Sequence, residues 1–393
     1  MRVTHVITRL IVGGAQENTV ASVLGLRRQP GLEVDLISGP TSGPEGSLES
    51  SFADCPGALR LARHLVRPVH PWHDALALLE LTRLLRERRP NLVHTHSGKA
   101  GVLGRLAARR AGVPIIVHTV HGPSFGPFQG VLSNTIFTAA ERLAARVTTH
   151  FVTVSDAMTK QYLAAGIGRP TQYTRIFSGF PLEPFLQARN DAGIRARLGL
   201  SADDFVVGKI ARLTELKGHD DLFSAAPELI RRCPRIKFLL VGDGPWRGRF
   251  EQTIRQLGLQ RHYVFTGLVP PQSIPELVGV MDVLIHLSLR EGLPRALPQA
   301  LAAGKPVIAT DCDGAGEVCI EGETGFLIPL RDATALTQRL LELEADPALR
   351  ERLGRRGQQF VRERFGVERM VDELHQLYLR LAAQAGMGSS SRP

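Results

Sequence analysis

The chain has 393 residues, 43% of them hydrophobic, which is enough apolar material for two ordinary domains that each bury their own core. Its four cysteines are scattered (Cys55, Cys233, Cys312, Cys319), and none forms the short paired spacing of a zinc site or a redox couple. The formal net charge is +10, and the excess lies mainly in residues 1–180, which carry 20 Lys and Arg against 11 Asp and Glu.

The first half of the chain alternates short β-branched runs with longer helical segments. The runs that we predict as strands lie at 3–8, 33–38, 92–95, 115–119 and 151–155. This rhythm is typical of βαβ units, which build a mostly parallel, twisted sheet covered on both faces. Adjacent Gly13 and Gly14 follow the first strand, where they allow a tight turn and present backbone amides to an anionic phosphate, although Gly-Gly is also a common turn.

The rhythm breaks at 178–203 and then resumes. Further strands are predicted at 205–210, 237–241, 283–286 and 307–309, and successive helices at 332–344, 347–365 and 367–383. The chain is therefore predicted to be an α/β protein with two doubly wound, Rossmann-like domains facing across a cleft, with ligands bound by the loops that follow the strands. The predicted parts are a first domain at 1–180, a linker at 181–203, a second domain at 204–365, a helix at 366–385 packing back on the first domain, and a disordered tail at 386–393.

Three arginine-rich segments in the first half mix basic residues with leucine and alanine at helical spacing, at 59–63, 83–89 and 105–110. This pattern suits an anionic membrane surface, and equally an arginine-rich composition on ordinary solvated helix faces. Nucleic acid is disfavoured because no recognised binding motif is present. The sequence begins without the pattern of a signal peptide and lacks an apolar run of membrane-spanning length. We expect a cytoplasmic protein, with peripheral binding at the inner face of the cell membrane left open.

A pair of cations follows the predicted strand at 205–210. Arg212 and Lys217 lie on a strand-to-helix loop, where a guanidinium and an ammonium can clamp a diphosphate and stabilise the charge that develops on a leaving group. The plainer interpretation is a surface Arg and Lys beside a helix cap. Because ligands bind at the carboxyl ends of strands in such folds, the position favours the phosphate role.

A carboxylate follows the predicted strand at 283–286. Glu291 lies at a predicted helix start, where it can accept hydrogen bonds from sugar hydroxyls, or simply cap the helix. Gln299 comes eight residues later, about two helical turns away, and is expected on the same helix face. Together they could hold one ligand at two points.

At these residues the chain comes to resemble the retaining glycosyltransferases of family 4, which have the GT-B fold. The resemblance covers nearly the whole length in the expected order and spacing. It is carried by Gly13-Gly14-Ala15-Gln16, His118-Thr119-Val120-His121-Gly122, Arg212 with Lys217-Gly218, Val241-Gly242-Asp243-Gly244-Pro245, Glu291-Gly292-Leu293-Pro294 and Ala300-Leu301-Ala302-Ala303-Gly304.

The resemblance implies a reaction and a set of roles. A hexosyl or N-acetylhexosaminyl unit would pass from a nucleotide diphosphate sugar, with UDP the expected nucleotide, to a hydroxyl acceptor that could be lipid-linked. The anomeric configuration would be retained, and no cofactor or catalytic metal would be needed. By resemblance, the donor diphosphate is bound by Arg212 and Lys217, the donor sugar by Glu291, and the phosphate and sugar region by Gly13 and Gly14, while His121 lies beside the donor sugar near the reaction centre. The remaining residues expected at the donor are Gly242, Asp243, Gly292, Leu293 and Gln299.

Gln299 departs from the family pattern, which usually has glutamate at both ends of this eight-residue step. The second glutamate typically grips the nucleotide ribose. Glutamine can still accept one hydrogen bond, so ribose binding would weaken by roughly 1–2 kcal/mol. The substitution keeps open a catalytically degenerate protein of the same fold. A sugar-nucleotide epimerase of this fold is disfavoured by Arg212, Lys217 and Glu291.

Three other sequence features could indicate a ligand-binding site. His94 and His96 lie on one side of a strand end and could begin a metal site, but no third ligand is apparent from the sequence, so we predict no metal and assign them a structural or cleft-lining role. Residues 97–101 lack the full spacing of a nucleotide-triphosphate loop, and Lys99, with His96, is assigned to the acceptor side. Asp311 and Asp313 are expected in a polar strand-end loop that contributes to the donor pocket.

Overall fold

The computed structural model describes residues 1–43 and 46–387. Its backbone forms two compact units, one of Met1–Phe180 together with the C-terminal helix, and one of Pro181–Gly366. The predicted α/β class with two Rossmann-like domains is confirmed, since each unit contains one fully parallel sheet. Most of the tail expected at 386–393 lies outside the described residues.

The first unit is built on a seven-stranded sheet in the order β3-β2-β1-β4-β5-β6-β7. Its strands are β1 (Arg2–Ile7), β2 (Glu33–Ser38), β3 (Leu59–Leu61), β4 (Leu92–His96), β5 (Ile115–Val120), β6 (His150–Thr153) and β7 (Tyr173–Arg175). Its helices are α1 (Gly14–Leu26), α2 (Pro71–Arg88), α3 (Gly98–Arg110), α4 (Val131–Ala145) and α5 (Asp156–Ala164). Strands β4 and β5 are buried at every position, as expected for the centre of a sheet covered on both faces.

The second unit is built on a six-stranded sheet in the order β10-β9-β8-β11-β12-β13. Its strands are β8 (Phe205–Ile210), β9 (Ile236–Val241), β10 (Tyr263–Gly267), β11 (Val283–His286), β12 (Val307–Thr310) and β13 (Gly325–Ile328). Its helices are α6 (Glu183–Leu186), α7 (Ala192–Arg197), α8 (His219–Arg232), α9 (Arg247–Gln256), α10 (Ile274–Gly279), α11 (Ala296–Ala302), α12 (Ala333–Ala345) and α13 (Pro347–Arg364). None of the helices among the described residues has the length and apolar character needed to cross a bilayer.

Residues 181–203 differ from the linker that the composition predicts. The segment belongs to the second unit and contains α6 and α7. Arg195, on α7, is buried and donates hydrogen bonds to the carbonyl oxygens of Ser201 at 2.9 Å, Asp204 at 2.6 Å and Val280 at 3.2 Å. A guanidinium that saturates several buried carbonyls fixes this segment to the sheet, which is why its Gly- and Pro-rich entry does not make it a free linker.

The last helix, α14 (Val367–Gln384), belongs to the first unit. Its apolar face includes Met370, Leu374 and Tyr378, which share one hydrophobic core with β1, β2, β4, β5 and α1. The Tyr378 hydroxyl is buried among histidines of the central strands. The helix therefore supplies a polar group to the middle of the first sheet as well as covering one of its faces.

Candidate active site

In a doubly wound sheet, the strand order reverses direction at one point, and the loops that leave the strands there diverge and open a crevice. In the second unit this point lies between β8 and β11, which are adjacent and parallel. The loop after β8 carries Arg212 and Lys217, and the loop after β11 carries Glu291. The predicted donor residues thus leave neighbouring strands at the same edge of the sheet.

Lys217 and Glu291 form an ion pair across this switch point, between Nζ and Oε1. Both side chains are partly exposed, at 26% and 20%. The same Glu291 oxygen accepts a hydrogen bond from Ser288 Oγ at 3.2 Å, and Nε2 of buried His286 lies 3.6 Å away. A cation that can bind phosphate and a carboxylate that can bind hydroxyls are therefore in direct contact at this switch point.

The loop that carries Glu291 is braced by the end of β12. Asp313 Oδ2 accepts hydrogen bonds from the Glu291 backbone amide at 2.8 Å and from Arg290 Nε at 3.1 Å. Thr310 Oγ1 donates to the Ser288 carbonyl at 2.7 Å. The polar loop expected around Asp311 and Asp313 thus positions Glu291, a role that the spacing of those aspartates did not reveal.

The relation predicted between Glu291 and Gln299 is wrong in its local geometry. Helix α11 begins at Ala296, so Glu291 lies on the preceding loop and neither caps that helix nor shares its face with Gln299. Pro294 and Pro298 flank the helix start, where proline is tolerated because the first helical amides need no intrahelical partner. Gln299 is half-buried, and in the described part of the chain its side chain makes no hydrogen bond.

The loop that carries Arg212 packs against the loop that follows β9. Leu213 N donates to Asp243 O at 3.0 Å, and Trp246 N donates to Leu213 O at 3.1 Å. Gly242 has φ +129°, and a side chain there would meet the Ala211 carbonyl oxygen at 2.3 Å. Asp243 pairs with Arg247 at 3.1 Å. Gly242 and Asp243 therefore stabilise the packing of these two loops against each other. The Arg212 side chain is exposed at their surface.

A buried lysine lies behind the ion pair. Lys209, on β8, is 1% exposed, and its Nζ has no hydrogen-bond partner among the described residues. Burial, together with the positive charge of Lys217, lowers the pKa of Lys209 to about 7, while Asp221 and Glu291 act in the opposite direction. Burial, together with Lys209 and Lys217, also holds the pKa of His286 well below its usual value. Burial is the larger cause of both shifts, and the neighbouring lysines add to it.

The first unit places histidines at its own switch point, between β1 and β4. His5, His94 and His96 are buried, and one ring nitrogen from each lies within 4.8 Å of the others. No third neighbour of metal-ligand type for His94 and His96 is apparent from the sequence, but the pairing of β1 with β4 brings His5 beside them. Their nitrogens hydrogen-bond within the unit: His5 Nδ1 with His96 Nε2 at 2.9 Å, and His94 Nε2 with Thr119 Oγ1 at 2.6 Å.

His121 directly follows β5 and extends this group towards the carboxyl edge of the sheet. Its Nε2 lies 3.0 Å from His96 Nδ1. Burial lowers the pKa of His121 to about 4, so the imidazole is neutral at physiological pH. Gly13 and Gly14 lie at the same edge, at the amino end of α1, with Glu17 N donating to Gly13 O at 2.9 Å.

Two predicted acceptor-side residues are engaged within the first unit. His96 is 1% exposed and lies behind His121, so its burial opposes direct contact with an acceptor. Lys99 forms an ion pair with Asp74 and donates to the Pro68 carbonyl. The basic segment at 105–110 is also only partly available for an anionic surface, because Arg105 is fully buried and paired with Glu141.

The chain matches two protein-family models. One, described as a glycosyl transferase 4-like domain, covers residues 13–177, and the other, described as glycosyl transferases group 1, covers residues 191–360. A putative glycosyltransferase, EpsD of Bacillus subtilis, is 30% identical, with 76% of this chain and 79% of the relative aligned. The UDP-Gal:alpha-D-GlcNAc-diphosphoundecaprenol alpha-1,3-galactosyltransferase of Escherichia coli is 29% identical, with 80% and 82% aligned.

Solved structures agree on the fold. HepE of Anabaena, in complex with UDP and glucose, has a TM-score of 0.81 at 22% identity, covering 96% of this chain and 99% of that one. Sucrose-phosphate synthase of Thermosynechococcus elongatus has a TM-score of 0.81 at 21% identity, covering 98% and 100%. The fold is GT-B. The chain belongs to the group 1 glycosyltransferases, and the enzyme class predicted from the sequence is confirmed.

Proposed function

We propose that this glycosyltransferase moves a hexosyl or N-acetylhexosaminyl unit from a UDP-sugar to a hydroxyl group, with retention of the anomeric configuration and without a catalytic metal. The Lys217–Glu291 ion pair at the switch point of the second unit carries the proposal. In a nucleotide sugar, the β-phosphate and the sugar are joined by a single oxygen. A phosphate-binding cation and a hydroxyl-binding carboxylate in direct contact match that arrangement.

The proposed chemistry places charge stabilisation in the second unit. As the bond from the anomeric carbon to the β-phosphate oxygen breaks, negative charge grows on UDP. Lys217 and Arg212 would stabilise this developing charge more strongly than they stabilise the intact donor. Glu291 would hold sugar hydroxyls, while Asp313 keeps the Glu291 backbone in place. The acceptor hydroxyl would attack from the face that UDP leaves and pass its proton to the departing β-phosphate oxygen, so the route needs no protein nucleophile.

UDP as the nucleotide is supported by the names of similar proteins. The Escherichia coli relative is named for UDP-galactose, and HepE of Anabaena has been solved with UDP and with UDP-glucose. A Mycolicibacterium smegmatis relative, 32% identical over 63% of this chain, is named instead for GDP-mannose. A GDP-sugar is therefore the competing donor against which UDP-sugars should be compared.

We further propose a lipid-linked acceptor and contact with the membrane surface at the inner face of the cell membrane. The Escherichia coli relative is named for a diphosphoundecaprenol-linked acceptor. In this chain α4 begins ten residues after His121, at the same edge of the first sheet, and exposes Val131 at 88%, Leu132 at 75% and Ile136 at 55%. Exposed apolar side chains grouped on one helix are typical of a lipid or protein contact.

Arginines at the carboxyl ends of α2 and α3, at the amino edge of the same sheet, would supply a second and separate electrostatic contact. Arg86, Arg89, Arg109 and Arg110 are exposed. Binding to anionic vesicles through arginines would weaken between 0.1 M and 1 M salt, as the Debye length shortens from about 10 Å to about 3 Å, whereas binding through α4 would persist. Val131→Ser with Leu132→Ser, compared with Arg86→Gln with Arg89→Gln, separates the two contributions in a co-sedimentation assay. Failure of the wild type to bind anionic vesicles at low salt would remove the membrane proposal.

The test of the reaction is turnover of a panel of UDP-sugars, with GDP-mannose as the competing donor, in the presence of lipid-diphosphate-linked and simple sugar acceptors. We expect release of UDP with one UDP-hexose or UDP-N-acetylhexosamine, and a product whose anomeric proton shows the configuration of the donor. Inversion at the anomeric carbon would overturn the retaining route. Binding of UDP-sugars without any hydrolysis or transfer would overturn the activity itself.

A further inference from the structure

A chain of hydrogen bonds joins the C-terminal helix of the first unit to His121. Tyr378 OH lies 3.3 Å from His5 Nε2, His5 Nδ1 lies 2.9 Å from His96 Nε2, and His96 Nδ1 lies 3.0 Å from His121 Nε2. The four side chains come from α14, β1, β4 and the loop after β5. Every ring nitrogen of His5 and His96 is used in this chain.

A short branch closes the buried end of the chain. Tyr378 OH also contacts His94 Nδ1, and His94 Nε2 lies 2.6 Å from Thr119 Oγ1. The hydroxyl has one proton, so Tyr378 donates to one of these two histidines and accepts from the other.

The histidines in this chain are neutral. Burial lowers the pKa of His5 to about 3 and that of His121 to about 4, and holds the pKa values of His94 and His96 well below the usual value. A neutral imidazole has one N–H and one lone pair, so each ring donates on one side and accepts on the other. The choice made at Tyr378 therefore fixes every ring in the series.

The choice can be followed ring by ring. When Tyr378 donates to His94, His5 donates from Nε2 to Tyr378, and the Nδ1 of His5 must accept from Nε2–H of His96. The Nδ1 of His96 must then accept from Nε2–H of His121. The Nδ1 of His121 is left as a lone pair, and this atom has no hydrogen-bond partner in the part of the chain that the structure describes.

We propose that Tyr378, His5 and His96 are positioning residues that hold His121 in the tautomer with its proton on Nε2, so that Nδ1 presents a hydrogen-bond acceptor at the carboxyl edge of the first sheet. The ligand group that fits this atom is a hydroxyl, which donates to it. This reading deepens the proposed function, since it rests on His121 lying beside the sugar during transfer. It also gives α14 a part in the chemistry of the first unit.

The tautomer can be measured without any substrate. In protein labelled with ¹⁵N-histidine, two-bond proton–nitrogen correlation spectra distinguish a protonated from an unprotonated ring nitrogen, and His121→Gln assigns the signals. We expect wild-type His121 to carry its proton on Nε2. In Tyr378→Phe, loss of the hydroxyl removes the partner of His5 Nε2, and we expect a mixture of the two His121 tautomers. Because a neutral hydrogen bond biases an equilibrium by about 1 kcal/mol, kcat should fall about twofold in this variant while the affinity for UDP is unchanged.

Tyr162→Phe is the matched control. Tyr162 is another buried tyrosine of the first unit, and its hydroxyl bonds Ser124 at 2.9 Å, outside the histidine chain. The Tyr162→Phe variant should leave the His121 spectrum unchanged. If Tyr378→Phe does not fold, His96→Phe tests the last link of the chain, since it removes the acceptor for Nε2–H of His121 and should give a mixture of the two His121 tautomers.

Three results would overturn the proposal: a wild-type proton on Nδ1 of His121, an unchanged His121 spectrum in Tyr378→Phe, or a stoichiometric metal ion bound by His5, His94 and His96. These outcomes are independent of catalysis. If the tautomer behaves as described but no UDP-sugar turns over, the proposed function fails and the positioning chain stands.

Discussion

The two sheets share the strand order 3-2-1-4-5-6 when each is counted from its own first strand, yet they place different chemistry at the switch point. In the first unit the side chains between β1 and β4 are imidazoles that burial keeps neutral and that hydrogen-bond to one another. In the second unit the loops after β8 and β11 bring together an ammonium and a carboxylate, with a second lysine buried behind them. The fold determines where a ligand binds, and the residues at the strand ends determine which part of the ligand each unit can bind.

The largest effect expected from this comparison is on stability in acid. Among the described residues, the first unit has six histidines with a lowered pKa and the second has two: His5, His94, His96, His118, His121 and His150, against His219 and His286. Below pH 6.5 these histidines become protonated in the unfolded chain but stay neutral in the folded protein. Each therefore removes up to about 1.4 kcal/mol of stability per pH unit, from pH 6.5 down to its folded pKa.

Hydrogen exchange followed by mass spectrometry at pH 7 and pH 5 checks this difference. After correction for the intrinsic rate, peptides from β1, β4 and β5 should lose protection at pH 5 before peptides from β8, β9 and β11. Equal loss in both sheets, or earlier loss in the second, would contradict the assignment of neutral histidines to the first.

The next largest effect concerns catalysis by the cations of the second unit. Lys217→Ala and Arg212→Ala should each lower kcat/KM by about 10²- to 10³-fold, because they remove charge that stabilises the departing UDP most strongly in the transition state. Steady-state rates with the donor identified by the panel provide the measurement. Lys160→Ala, at an exposed position on α5, is the control and should leave kcat/KM unchanged. Near-normal turnover in both site variants would remove the pair from the mechanism.

A smaller effect is expected at the sugar end of the same site. Glu291→Gln should weaken binding of a C-glycosidic UDP-hexose analogue by roughly tenfold to a hundredfold, since a hydrogen bond to a charged group contributes about 1.5–3 kcal/mol. The affinity of this variant for UDP, which lacks the sugar, should not fall and could rise, because the substitution removes negative charge beside Lys217. Glu276→Gln, at a partly exposed glutamate of α10, serves as the control in the same titrations. Equal weakening of both ligands would place Glu291 at the nucleotide instead.

The smallest expected effect is at Gln299. If its carbonyl accepts from a ribose hydroxyl, Gln299→Ala should weaken UDP binding by about fivefold to thirtyfold, the equivalent of roughly 1–2 kcal/mol, with little change in kcat. Gln299→Glu should preserve or strengthen binding. With 2′,3′-dideoxy-UDP the three proteins should become equivalent. If all three bind UDP with the same affinity, Gln299 does not hold the ribose.

The sequence predicted the central strands well and missed the outer ones. The nine strands predicted from β-branched runs all occur, while the four that were missed, β3, β7, β10 and β13, are the edge strands of the two sheets. Edge strands are covered less completely and need no continuous apolar run, so Leu59–Leu61 and Tyr173–Arg175 carry little periodic signal.

Site residues divide in a similar way. Lys217 and Glu291 could be predicted because each follows a recognisable strand, and strand ends meet at one edge of a parallel sheet. His5 and Tyr378 could not, because their contact with His94 and His96 depends on strand order and on where the last helix packs. Asp313 was seen as part of a polar loop, but its hydrogen bond to the Glu291 amide required the fold.

The central claim is that the second unit holds the donor diphosphate at Lys217, and a titration of two ligands against two proteins tests it most directly. Because Lys217 contacts the carboxylate proposed to bind the sugar, it should face the β-phosphate, which UDP has and UMP lacks. Isothermal titration calorimetry of wild type and Lys217→Ala with UDP and UMP gives four affinities, which form a thermodynamic cycle between Lys217 and the β-phosphate. The account predicts that the variant loses most of its preference for UDP over UMP, with Arg212 keeping the remainder, while the affinity for UMP stays at the wild-type value. An equal loss of affinity for both ligands, or no loss for either, would contradict it.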